Sequence, residues 1–233
     1  MLTPNAINEQ LTIPQEDSTT PVKPVEALTI YDLLKSKGIT KTLEIGFAYG
    51  RSASHIMAAT NSPHIAMDPF QDHYQNLGVQ NVKTLGLSDQ LELIRDFSHS
   101  VLPRFMEEGR KFEFIFIDGD HKFDGIFVDF YYSDFLIDEG GYLMFHDTWM
   151  RSTQLVLQFI RDNRKDYKEV PVPNKNMALF TKVNKKDDRD GMHFKEFYTL
   201  KSYTRHHTTM HMYENPNGLL RKMFLGLKKI MGK

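Results

Sequence analysis

The sequence predicts a doubly wound α/β fold, an open and mostly parallel sheet with helices on both faces. Three observations carry this. Short runs of β-branched and aromatic residues alternate with helix-length segments, the pattern of parallel strand–helix–strand units. A glycine turn, Gly46-Phe47-Ala48-Tyr49-Gly50, joins the first such run to a helical segment. Two later runs end in acid–histidine clusters, Asp118-Gly119-Asp120-His121 and His146-Asp147. Parallel strands place their C-terminal ends on one side of the sheet, where open α/β sheets bind ligands. Those five acidic and histidine side chains are therefore expected at one crevice.

The elements follow in chain order. Residues 1–24 carry four prolines among many polar residues and read as a flexible N-terminal arm, mobile or lying on a surface. A helix is expected over Thr29–Lys37, opened by a capping box at Thr29 to Asp32 and stopped at Gly38. Strand Thr42–Ile45 leads through the glycine turn into helix Ser52–Ala59, and strand His64–Met67 closes on Asp68. Two helices are expected over Gln71–Gly78 and Val82–Leu87, then strand Leu91–Ile94, Asp96-Phe97-Ser98, and helix Val101–Glu108. Strand Phe112–Ile117 and the helix after Lys122 precede Gly140-Gly141 and strand Tyr142–Phe145. Helix Ser152–Asn163 and strands Tyr167–Val172 and Met177–Val183 complete the domain, the last two joined by a tight turn that predicts an antiparallel finish.

Composition bounds the function. A chain of 233 residues, 40% hydrophobic and 25% charged, fits one α/β domain with extensions. A net charge of −1 argues against nucleic acid as a general partner. The absence of cysteine removes thiolate chemistry and disulfides. No basic-then-apolar leader and no membrane-length apolar run is visible, so a cytoplasmic location is expected. From Asn184 onward 11 Lys and Arg face 5 acidic residues, giving this basic, His-rich extension +6 and the remainder −7. It ends in a basic amphipathic pattern, Leu219 to Met231. Peripheral contact with an anionic membrane and docking on the domain or a second subunit are the two readings of that helix.

The order Glu44-x-Gly46-x-x-x-Gly50, Asp68 after the second strand, IDGDH after the fourth and FHDTW after the fifth resembles the class I S-adenosylmethionine (SAM)-dependent methyltransferases. More narrowly, it is similar to the branch called methyltransferase domain family 24. The resemblance covers roughly residues 27–183 and implies a Rossmann-like, seven-stranded sheet, mostly parallel with an antiparallel last strand, in a methyltransferase domain over residues 25–183. It implies SAM as cofactor. Gly46 and Gly50 would line the methionine end, with Glu44 near its amino group and Ser52 near its carboxylate. Asp68 would hold the ribose, Phe97 and Ser98 would flank the adenine, and Asp118 would lie next to the sulfonium. Where that turn usually has a middle glycine, this chain has Ala48.

The expected activity is O-methylation of a small hydroxylated acceptor, such as a sugar, polyketide or other secondary metabolite. A hydroxyl acceptor must lose a proton, and two devices are open. In one, Asp118 and Asp147 hold Mg²⁺ or a similar divalent metal, with His146 or Asp120 assisting. In the other, His121 or His146 is a neutral general base oriented by Asp118 or Asp120. Trp149 follows the second cluster and reads as an acceptor-stacking or packing residue. Two other readings stand beside this one. The first is an NAD-dependent oxidoreductase, which the missing GxGxxG opposes. The second is a non-catalytic SAM-fold module that anchors a biosynthetic assembly. A homo-oligomer is compatible with the sequence.

Overall fold

The computed structural model describes residues 2–196 and 200–230. They form two compact units, Met1–Lys195 and Glu196–Lys233. The first is built on seven strands: β1 (Thr42–Ile45), β2 (His64–Met67), β3 (Leu91–Ile94), β4 (Phe112–Ile117), β5 (Ile137–Phe145), β6 (Tyr167–Val170) and β7 (Ala178–Lys182). Their order is β3-β2-β1-β4-β5-β7-β6. β1 to β5 pair in parallel, whereas β7 runs antiparallel to both β5 and β6. The expected sheet and its antiparallel finish are thus present.

β4 is central because both faces of it are covered. Ile115 and Ile117 pack with Leu43, Leu143 and Phe145 beneath α5 (Ser98–Glu107), α6 (Phe123–Leu136) and α7 (Arg151–Asn163). Phe114 and Phe116 point the other way, into a cluster with Met144, Leu179 and the Ala27, Ile30 and Leu34 stripe of α2 (Pro24–Lys37). A strand buried on both sides has to be apolar throughout rather than alternating, which is why FEFIFI reads as a run. α3 (Arg51–Thr60) lies on the α2 side, where Ile56 joins the same cluster.

The structure corrects four boundaries. α2 begins five residues earlier than Thr29, because Pro24 suits a first helical position and the Glu26 carboxylate accepts the Lys23 backbone N–H at 2.6 Å. In place of two helices between Gln71 and Leu87 there is one, α4 (Leu77–Thr84), since Gln75 and Asn76 adopt left-handed φ of 51° and 58° and break any earlier helix. β5 starts at Ile137, ahead of the glycine pair, with a register shift opposite Phe112 and Phe114. The extension expected from residue 184 divides. Lys195 still belongs to the first unit, its backbone bonded to the Asn163 side chain at 2.7 and 2.8 Å.

The expected flexible arm is packed instead. α1 (Pro4–Gln10) is capped by the Thr3 hydroxyl and buries Ile7 completely against Tyr31 and Ala58. Asn81 clamps the following segment, accepting from Thr12 N–H at 2.8 Å and donating to its carbonyl at 3.0 Å. Met231 of the C-terminal pattern lies outside the described residues. The second unit holds α8 (Leu200–Glu214) and α9 (Leu219–Ile230). Among the described residues no helix is long and apolar enough to cross a membrane.

If the N-terminal segment is part of the core, Ile7→Ala should lower unfolding stability by about 2–4 kcal/mol in a urea titration. A change within experimental error would mean that α1 is not packed in solution.

Candidate active site

The C-terminal ends of β1, β2 and β4 and the segment after β3 surround a cavity of about 900 Å³, which Asp118 and His121 line and His146 and Asp147 do not. Its wall is built by a close crossing. Gly46, at φ +94°, approaches the β4 end so tightly that a Cβ there would lie 2.2 Å from the Asp118 carbonyl oxygen. Only glycine permits this, so the first glycine of the turn serves the crossing of two strand ends. Asp68 holds the rest of the turn. Its Oδ2 accepts from Phe47 N–H at 3.2 Å, Ala48 N–H at 2.7 Å and the Gln71 amide at 3.2 Å, while Oδ1 accepts from Phe70 N–H at 2.7 Å. These bonds keep Ala48 at a left-handed φ of 44°, so the missing middle glycine is replaced by a restrained alanine.

At the mouth, two histidines sit among three carboxylates. The buried His146 ring binds Asp118 Oδ1 through Nδ1 and Glu26 Oε2 through Nε2, both at 3.0 Å. Asn176, in the turn before β7, donates to Glu26 at 3.1 Å and to Asp147 at 3.2 Å. The half-exposed His121 reaches Asp147 Oδ2 at 3.2 Å and lies 3.8 Å from Asp118 Oδ1. Asp147 also accepts the Trp149 indole N–H at 3.0 Å and, although not glycine, sits at φ +50°. Trp149 itself is exposed, tied to the loop rather than packed.

These contacts set the charges. The Asp118 and Asp147 carboxylates push His121 up to about 10. Burial alone would lower His146, but its bonds to Asp118 and Glu26 win and lift it to about 10. Asp147 is held well below the usual carboxylate range, first by its bond from His121. Glu26 is lowered too, its His146 and Lys23 bonds outweighing burial. The neighbouring carboxylates thus favour the charged form of both rings, which runs against a neutral histidine base.

Residues 43–148, the span from β1 to this second cluster, match the family model described as a methyltransferase domain. That span is similar to a methyltransferase domain. Solved structures share its fold. The O-methyltransferase from Bacillus cereus, in complex with SAH, superposes with a TM-score of 0.61 at 17% identity, over 72% of this chain and 85% of that one. TomG, an O-methyltransferase from Streptomyces achromogenes involved in tomaymycin synthesis and solved with SAM, gives 0.65 at 14%, over 76% and 89%. The SAH-bound methyltransferase PaMTH1 of Podospora anserina gives 0.62 at 15%, over 78% and 89%. No curated protein matches the chain by sequence.

Within the methyltransferase domain, Gly46, Ser52, Asp68, Phe97, Ser98, Asp118 and His121 line the cavity, whereas Glu44 and Gly50 do not. Glu44 is fully buried beside β2, its Oε2 3.1 Å from His64 Nε2, and burial raises its pKa. Gly50 packs on the Phe47 ring at the back of the turn. Ligand atoms of Asp118, His121 and Asp147 lie within 4.8 Å of one another, while both His146 nitrogens are taken. Glu26, Arg51, Asp129 and Asn176 were missed. Asp129 is 1% exposed, lines the cavity, and has no hydrogen-bond partner on either carboxylate oxygen among the described residues. Burial lifts it to about 7. In the sequence it is only the middle of three acids in an aromatic-rich helix, FDGIFVDFYYSDFL, and nothing there sets it apart.

The raised histidines carry a pH signature. A group whose folded pKa exceeds its unfolded value of 6.5 stabilises fully below 6.5 and loses that contribution as pH rises through about 10. Chemical unfolding between pH 6 and 10 should show stability falling with pH, and His146→Gln should flatten the slope. An unchanged slope in that variant would contradict the imidazolium assignment.

Proposed function

We propose that the methyltransferase domain uses SAM to methylate a hydroxyl of a small acceptor such as a sugar, a polyketide or another secondary metabolite. The observation that carries this reading is the acid–imidazolium cluster at the mouth of a cavity whose inner wall suits an adenosine. The inner wall supports the donor in three ways. Asp129 is a buried carboxyl whose neighbouring donor is the Ser98 hydroxyl, which leaves acceptor capacity for the N–H of an amino-purine. Phe70 and Phe97, half-exposed and packed edge-to-face at 5.7 Å, offer an apolar aromatic edge to the base. Asp68 Oδ1 accepts a single bond and keeps a lone pair for one ribose hydroxyl.

Bound SAM supplies an electrophilic methyl carbon on a sulfonium. In the transfer the C–O bond would form as the C–S bond breaks, with sulfur keeping the electron pair and the hydroxyl proton passing to solvent water. The chain's part is placement and charge. Orienting both reactants in one cavity removes roughly 7–11 kcal/mol of barrier. The His121 imidazolium, fixed by Asp147, favours the acceptor oxygen as it gains negative charge. Asp118, His121 and Asp147 also form a donor set that would hold a divalent cation, two carboxylates with one imidazole suiting Mn²⁺ or Zn²⁺ better than Mg²⁺. Such an ion supplies Lewis-acid charge to an acceptor oxygen.

Incubation with SAM and hydroxylated acceptors should release S-adenosylhomocysteine and give O-methyl products by mass spectrometry. In calorimetry, Asp68→Ala should abolish S-adenosylhomocysteine binding, and Asp129→Leu should weaken it about tenfold. Methyl groups on nitrogen or carbon only, or unchanged affinities, would overturn the respective assignments. A cation at the trio must displace the His121 proton, so Mn²⁺ affinity measured by titration should tighten from pH 7 to 9. His121→Gln should weaken it and remove that dependence; an equal slope in both proteins would exclude His121 as a ligand.

A further inference from the structure

We propose that α9 lies in the surface of an anionic lipid membrane. With about 100° per residue, Leu219, Leu220, Met223 and Leu227 fall on one arc of this helix, and Arg221 and Lys222 on the opposite one. Lys228 and Lys229 bring the cations of this segment to four, and no acidic residue occurs between Leu219 and Ile230. The four apolar residues are exposed by 76%, 47%, 58% and 55% in that order, although side chains of this kind are costly to leave in water. A continuous apolar stripe of that kind on a short helix needs a cover. With 12 residues, α9 is too short to span a bilayer, which takes roughly 20. It has the form of a helix that lies along the interface, apolar side down and cationic side among the headgroups.

Charge selects the occupant. Four cations and no anion along 12 residues match a negative lipid surface. A second copy of α9 would offer the same apolar stripe but would bring like charges together along its edges. This inference uses no residue of the cavity and stands apart from the methyl-transfer reading.

Co-sedimentation of the full chain with vesicles tests it. Phosphatidylcholine vesicles containing phosphatidylserine should retain about tenfold more protein than phosphatidylcholine alone, with the difference shrinking at roughly 0.5 M salt. Met223→Glu with Leu227→Glu should abolish retention on both vesicle types. Arg221→Glu with Lys222→Glu should remove only the preference for phosphatidylserine. Circular dichroism and S-adenosylhomocysteine binding should stay at wild-type level in each variant. No retention, or equal retention on both vesicle types, would overturn the proposal. So would a dimer in light scattering that Met223→Glu dissolves, with no vesicle binding, since the stripe would then cover a second copy.

Discussion

A buried imidazolium between two carboxylates organises the catalytic end of this molecule. His146 ends β5 and binds Asp118 from β4 and Glu26 from α2, while Asn176 ties the same group to the turn before β7. Four elements distant in sequence thereby meet at one ring. Removing charged groups from water is expensive, and the arrangement holds because each charge has an opposite or a donor at hydrogen-bond distance. Taking away one partner would leave the others buried without compensation, so the cluster constrains the fold as much as it serves the site.

A similar economy governs the glycine turn. A dinucleotide-type GxGxxG turn uses three glycines, and this chain keeps only the first, Gly46, with Ala48 and Arg51 at the other two positions and Gly50 one residue before the last. Asp68 makes this tolerable by accepting the Phe47 and Ala48 N–H groups. Gly78 completes the arrangement, because a Cβ there would lie 2.3 Å from the Ala48 carbonyl oxygen. A carboxylate expected to hold ribose therefore first holds the loop. The two tasks are compatible only because its oxygens are unequally loaded.

The sheet was legible in the sequence because every inner strand is an apolar run bounded by glycine or acid, and strands of that kind sort themselves into a parallel core. The helices between β2 and β3 were not, because left-handed Gln75 and Asn76 give no compositional warning. The packing of α1 was hidden for another reason. Prolines and polar residues dominate residues 1–24, and a single isoleucine filling a slot between α2 and α3 leaves no periodic trace. In the site, acids at strand ends announced themselves, whereas Glu26 lies 120 positions from its partner His146 and looks like any first-turn glutamate.

The same distance explains the one chemical reversal. Read in isolation, His121 and His146 are neutral bases, because an unperturbed imidazole titrates near neutrality. What changes them is the density of carboxylates, and that density exists only after folding brings Glu26, Asp118 and Asp147 to one mouth. Two imidazoliums against three carboxylates leave the mouth with a slight negative excess, which suits a site approached by a sulfonium. A neutral base would have required fewer acids nearby. The acids that oppose it give the site fixed charges of both signs, and preorganised charge costs no rearrangement.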